Sequence, residues 1–87
     1  MNMTEVLPEF PKDFFVKLGD QTQFEGKLTV NYHHREGSIF YQVEVNIVQR
    51  EAQKIYSHVG IFAEADEQEV LQRGLRELRK FFERGAF

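Results

Sequence analysis

The chain has 87 residues, which is the length of one small domain with a thin hydrophobic core. Its formal net charge is −3, so no overall positive field attracts nucleic acid or an anionic membrane. The chain contains no cysteine, which excludes disulfides and thiolate metal sites, and no apolar run approaches the roughly 20 residues of a membrane span. Because the start also lacks a secretion-signal pattern, we expect one cytoplasmic domain over residues 1–87 that is flexible over 1–7.

The segment over residues 11–18 fits two kinds of secondary structure. Phe10, Phe14 and Leu18 recur at helical spacing, whereas Phe14, Val16 and Leu18 alternate as in a strand. A proline at its start and a glycine after it favour a short helix, while its aromatic and β-branched residues favour a fourth strand. The sequence leaves both alternatives open, and we favour the helix.

From Phe24 to about Ala65, apolar residues recur at every second position, which is the period of a strand with one buried face. Residues 35–38 and 51–54 interrupt this pattern as turns would. The spacing therefore predicts a three-stranded antiparallel meander.

The strand register is strongly specified, because a slip of one residue exchanges the two faces of the sheet. Across the first turn, the predicted pairs are Leu28–Val45, Val30–Val43 and Tyr32–Tyr41. Across the second turn, they are Val45–Ile61, Val43–Ala63 and Ile47–Val59. This register puts all of these residues on one dry face, and it places Phe40, Tyr56 and Phe62 on the opposite face.

The stretch from Asp66 to Gly85 is predicted to be a long amphipathic helix. Asp66 suits the N-cap, with Glu69 three residues on. The apolar positions fall within an arc of about 140°, and they are Val70, Leu71, Gly74, Leu75, Leu78, Phe81 and Phe82. Gly74 is expected to let the helix approach Tyr32, Tyr41 or Phe24. Leu75 and Leu78 are expected to lie over Val43, Val45 and Ile61.

These elements predict an α+β two-layer sandwich. The three-stranded meander forms one layer, and the long C-terminal helix covers its dry face. The segment over residues 11–18 adds a short N-terminal helix or a fourth strand.

The exposed face of this helix carries a basic stripe. Its members lie within roughly 80° on a helical wheel, and they are Arg73, Arg76, Lys80 and Arg84. Four aligned cations are typical of phosphate binding. However, the helix contains as many acids as bases, arranged to complement the helix dipole, so we favour an ordinary solvated face.

The remaining polar residues predict no catalytic, metal, cofactor or small-molecule site. His33, His34 and Glu36 have the side chains of a metal site. Adjacent histidines on a strand point to opposite faces, however, and in the predicted register His58 lies roughly 26 Å away. The carboxylates expected on the open face are exposed, and nothing there would raise the pKa of a general acid.

Nine phenylalanines are more than one thin core can hold. We therefore expect Phe40, Tyr56 and Phe62 to bind a partner, unless the N-terminal segment folds over them. The sequence favours a non-enzymatic protein-interaction module, whose partner is a second copy or another protein that it regulates or inhibits. The alternative is nucleic-acid binding through Arg73, Arg76, Lys80 and Arg84.

Overall fold

The computed structural model describes residues 9–85, so the predicted flexible start over 1–7 lies outside the described residues. The elements in chain order are β1 (Lys12–Lys17), β2 (Phe24–Arg35), β3 (Ser38–Gln49), β4 (Ile55–Glu64) and α1 (Glu67–Glu83). The strands form one antiparallel sheet in the order β1-β2-β3-β4. One face of this sheet, the helix face, packs against α1 through β2, β3 and β4. The predicted two-layer α+β architecture is confirmed, with a fourth strand at the N-terminus.

Residues 12–17 are a strand, so the favoured N-terminal helix is wrong. Phe14 pairs with Leu28 and Val16 pairs with Gly26, both on the helix face. These two side chains are partly buried against the core, whereas Phe15 points to the other face of the sheet, the open face, and is 53% exposed. The segment gains a complete hydrogen-bond ladder from β2, and this tertiary contact outweighs the local helix signals.

The pairing of β2 with β3 agrees with the sequence prediction at all three expected rows, including Val30 with Val43. The pairing of β3 with β4 does not. Val45 lies opposite Gly60 instead of Ile61, and Val43 lies opposite Phe62. The predicted register of β4 is therefore wrong by one residue over residues 60–64, and by two at Ile47, which lies opposite Ser57 instead of Val59.

Two irregularities in β4 explain this slip. The register shifts between Val45 and Asn46 and again between Ile47 and Val48. A bulge adds a residue that alternation alone does not reveal. The slip also suits the side chains, because Phe62 lies over Gly60, where a Cβ would come 2.7 Å from the Phe62 ring. Phe62 therefore faces the helix, and Ile61 is 54% exposed on the open face.

Helix α1 begins where the sequence predicts. The Asp66 carboxylate accepts hydrogen bonds from the backbone N–H groups of Gln68 and Glu69, at 3.0 and 3.2 Å. Lys12 Nζ on β1 donates to Glu67 Oε2 at 2.8 Å, and this hydrogen bond raises the pKa of the Lys12 ammonium. The part of its contribution to stability that comes from the Lys12 charge is therefore present at neutral pH, and it is lost as the pH rises through that raised pKa.

Glycines allow α1 to lie close to the sheet, as predicted, but the neighbours differ from those expected. A Cβ on Gly74 would come 2.9 Å from Leu28 and 3.2 Å from Val43. On the sheet side, a Cβ on Gly26 would come 2.5 Å from Leu78. The prediction that Gly74 lies against Tyr32, Tyr41 or Phe24 is therefore wrong. Ile61 is also absent from the core beneath the helix.

Leu78→Ala should reduce the free energy of unfolding by about 2 to 5 kcal/mol, because Leu78 is 2% exposed and its loss leaves a cavity above β2. Arg79→Ala, on the exposed side of the same helix turn, should change it by no more than about 0.5 kcal/mol. Urea denaturation of both variants measures this difference. Equal effects would mean that α1 does not cover the sheet at this point.

The register of β4 has its own test. Phe62→Thr should cost about 2 to 4 kcal/mol through lost burial against α1, whereas Ile61→Thr should cost no more than about 0.5 kcal/mol. Threonine retains strand propensity in both variants, so the comparison isolates burial. The reverse order of stability would support the alternating register that places Ile61 in the core.

Candidate functional site

The three aromatic residues expected to share a surface lie in different places. Phe40 is on the open face, as predicted, and stacks on His33 with ring centroids 5.3 Å apart. Phe62 faces α1 instead. Tyr56 is 53% exposed and lies beside Phe24, with centroids 4.5 Å apart. The three side chains therefore do not form one exposed aromatic patch.

Two members of the basic stripe, Arg73 and Lys80, form ion pairs. Arg73 Nη1 donates to Glu64 Oε2 at 2.9 Å, and its guanidinium lies 5.0 Å from the centroid of the Phe62 ring. Arg73 Nε is 3.8 Å from the Glu77 carboxylate, and Lys80 Nζ is 3.9 Å from the same group. These carboxylates offset the charge of both cations.

The other two members of the stripe, Arg76 and Arg84, also lie in surroundings that do not favour phosphate binding. Arg76 lines a shallow depression whose other members include Glu64, Asp66 and Glu69. Arg84 is the C-cap residue of α1, and its backbone N–H bonds to the Lys80 carbonyl. Acidic groups are thus interleaved with the cations, and a phosphate backbone would meet both signs of charge.

The histidines at the first turn do not converge on one point. His33 is partly buried against Phe40, and its Nε2 atom has no hydrogen-bond partner among residues 9–85. His34 packs edge-on against Tyr32, with centroids 6.1 Å apart. Within residues 9–85, no group of three or more His, Cys, Asp or Glu side chains could hold a metal ion.

A short polar chain joins β3 to β4 on the open face. Asn46 is only 4% exposed, and its Oδ1 atom lies 2.8 Å from His58 Nδ1. Asn46 Nδ2 donates to Glu44 Oε2 at 3.1 Å. This chain lies where the register shifts, so it anchors the irregular half of β4. The register predicted from the sequence would place His58 opposite Val48, and this is wrong, because the two register shifts bring His58 opposite Asn46.

The outer edge of β4 combines an edge position in the described sheet with apolar side chains. No other strand within residues 9–85 pairs with this edge. Ile55 is 61% exposed and Ile61 is 54% exposed. From Ile55 to Ala63 the strand carries no Lys, Arg, Asp or Glu, and its only ionisable side chains are Tyr56 and His58. Such an edge is a template for pairing with another strand.

The opposite edge of the sheet is protected by its sequence. Strand β1 has six residues, of which Lys12, Asp13 and Lys17 carry charge, and Pro11 precedes it. Short length, charge and proline are the features that discourage pairing at a sheet edge. The two edges therefore differ, and β4 is the one suited to binding.

The exposure of Ile61 does not follow from the residue pattern, because strict alternation places that residue in the core. The signal that could have corrected it is the pattern Gly60-Ile61-Phe62, in which glycine leaves room for an aromatic ring two residues later on the same face.

Comparisons of the chain with protein-family models, with curated proteins and with solved structures gave no match. In residues 9–85, α1 is neither long enough nor apolar enough to cross a membrane.

Proposed function

We propose that this protein is a non-enzymatic, cytoplasmic protein-interaction module that binds an extended segment of a partner along the outer edge of β4. The observation that carries this proposal is the contrast between the two sheet edges. The β4 edge is ten residues long and largely uncharged, whereas β1 is short and charged. An added strand would form main-chain hydrogen bonds with the outer edge of β4.

The exposed isoleucines give this edge its side-chain contacts. Ile55, the first residue of β4, and Ile61, in its second half, both point to the open face. A partner strand would cover part of each, and its alternate side chains would lie beside them. The backbone thus supplies affinity, and the isoleucines favour an apolar partner segment.

The alternative function, nucleic-acid binding through the basic stripe, has weaker support. Arg73 is already bonded to Glu64 and packed on Phe62, and the chain as a whole is acidic. Releasing Arg73 for a phosphate would leave the Glu64 carboxylate without its partner. The electrostatics therefore favour a protein partner.

Two matched variants test the binding edge. Ile61→Lys places a charge on the β4 edge, and Phe15→Lys places one on β1, at sites that are 54% and 53% exposed on the same face. Partner binding, measured by affinity capture from the native host and then by calorimetry, should fall at least tenfold for Ile61→Lys and remain unchanged for Phe15→Lys. Equal binding by both variants would contradict the proposal.

Electrophoretic shift assays at low salt address the alternative function. We expect no retardation of single- or double-stranded DNA or RNA at about 50 μM protein, a concentration within the range of ordinary non-specific binding. Retardation that disappears in the double variant Arg76→Ala, Lys80→Ala would instead support the nucleic-acid function.

A further inference from the structure

We infer that the partner of the β4 edge is a second copy of this chain, joined across a two-fold axis so that the two sheets become one continuous eight-stranded sheet. This inference rests on the proposed function, since it uses the same edge and names what occupies it. A two-fold pair uses both β4 edges at once. The protected β1 edges then lie at the outer ends, so the assembly closes as a dimer.

The charges along α1 give a second copy a complementary surface. On one side of the helix, Arg73 contacts Glu64 and Phe62 of β4. The charged residues on this side form the β4-side row. Its members follow one another at intervals of three and four residues, and they are Asp66, Glu69, Arg73, Glu77, Lys80 and Arg84. In chain order the charges are acid, acid, base, acid, base, base.

This row is complementary to itself when the second copy runs antiparallel. Asp66 then meets Arg84 of the second copy, Glu69 meets its Lys80, and Arg73 meets its Glu77. Every acid faces a base, and each pair occurs twice because of the two-fold axis. Parallel rows would instead place like charges together at every position. The centre of this complementary arrangement lies level with Leu75.

The regularly paired part of the strand edge lies at the same level. Gly74 lies against Val43, and Val43 pairs with Phe62 on β4. The middle of the β4-side row is therefore level with Ile61 and Phe62. These residues also lie in the part of β4 that pairs regularly, over residues 60–64. A single two-fold axis at this level serves both the strands and the helices.

The spacing between the helices suits charged side chains. Gly74 lies against Leu28 on β2 and Val43 on β3, so about four strand intervals separate the two helix axes at mid-helix, or roughly 19 Å. Helices in direct contact lie only about 8–10 Å apart. Arg, Lys and Glu are long enough to bridge this wider gap, whereas short apolar side chains are not. On the open face, Ile61 packs beside Ile61 or Ala63 of the second copy.

Sedimentation velocity is the first part of the test. The purified protein should convert from monomer to dimer between about 1 and 500 μM, because a single strand pairing gives a small interface of modest affinity. Ile61→Lys should remain monomeric over this range, and Phe15→Lys should dimerise like the wild type. Circular dichroism of each variant verifies that it is folded.

Spin labels locate the interface. The chain has no cysteine, so Ala63→Cys and Phe15→Cys each provide one labelling site. In the proposed dimer the two Ala63 labels should lie within about 20 Å of each other, whereas seven strand intervals should place the Phe15 labels about 34 Å apart. A short Phe15 distance would overturn the inference, because the dimer would then use another surface.

A charge exchange tests the antiparallel helices. Glu69→Lys should weaken the dimer roughly three- to tenfold, since the introduced ammonium would face Lys80 of the second copy at two symmetry-related places. Adding Lys80→Glu in the same chain should restore most of the affinity. Equal affinity of the single and double variants would overturn the proposed helix arrangement.

The outcomes also separate this inference from the proposed function. A protein that stays monomeric, yet binds another protein in a manner that depends on Ile61, overturns the second copy and supports the β4 edge as a binding site. A monomer with no partner that depends on Ile61 overturns both.

Discussion

The contact between Phe62 and helix α1 determines which surface this protein presents. The ring lies beneath the Arg73 guanidinium, 5.0 Å from it, and Arg73 also bonds to Glu64 two residues further along β4. Together these contacts hold the end of β4 in one register. Because neighbouring residues of a strand point to opposite faces, Ile61 must then point to the open face. An apolar edge follows directly from this aromatic contact in the core.

The thin core explains why so few contacts carry the fold. The buried part of α1 is limited to Val70, Gly74 and Leu78, and the close approach at Gly74 brings the helix backbone onto Leu28 and Val43. A glycine in a helix costs about 1 kcal/mol relative to alanine. In this domain, the closer packing against β2 and β3 offsets that cost. The helix is consequently held at a fixed height and level above the sheet, and the alignment of its charges with β4 depends on that level.

The sequence predicted the parts of the fold in which one local pattern is sufficient. Regular alternation in β2 and β3 gave their register, and Asp66 gave the start of the helix. The sequence-based prediction failed where the structure of a segment depends on a contact with residues distant in the chain. Residues 12–17 became a strand because β2 was available to pair with them. Strand β4 slipped because its bulges interrupt a period that continues in the residue pattern. The candidate surface lies on this slipped strand, so sequence analysis placed Ile61 and Phe62 on each other's faces.

The self-complementary row on α1 has a local origin as well as a consequence for binding. Acids early in a helix and bases late in it complement the helix dipole, and any helix with that distribution is electrostatically matched to an antiparallel copy of itself. Charge order alone therefore selects no partner. The match becomes usable here because the midpoint of the helix lies at the same level as the regularly paired part of β4, over residues 60–64. Strand pairing can supply the affinity and the helices the orientation, and both then specify the same axis.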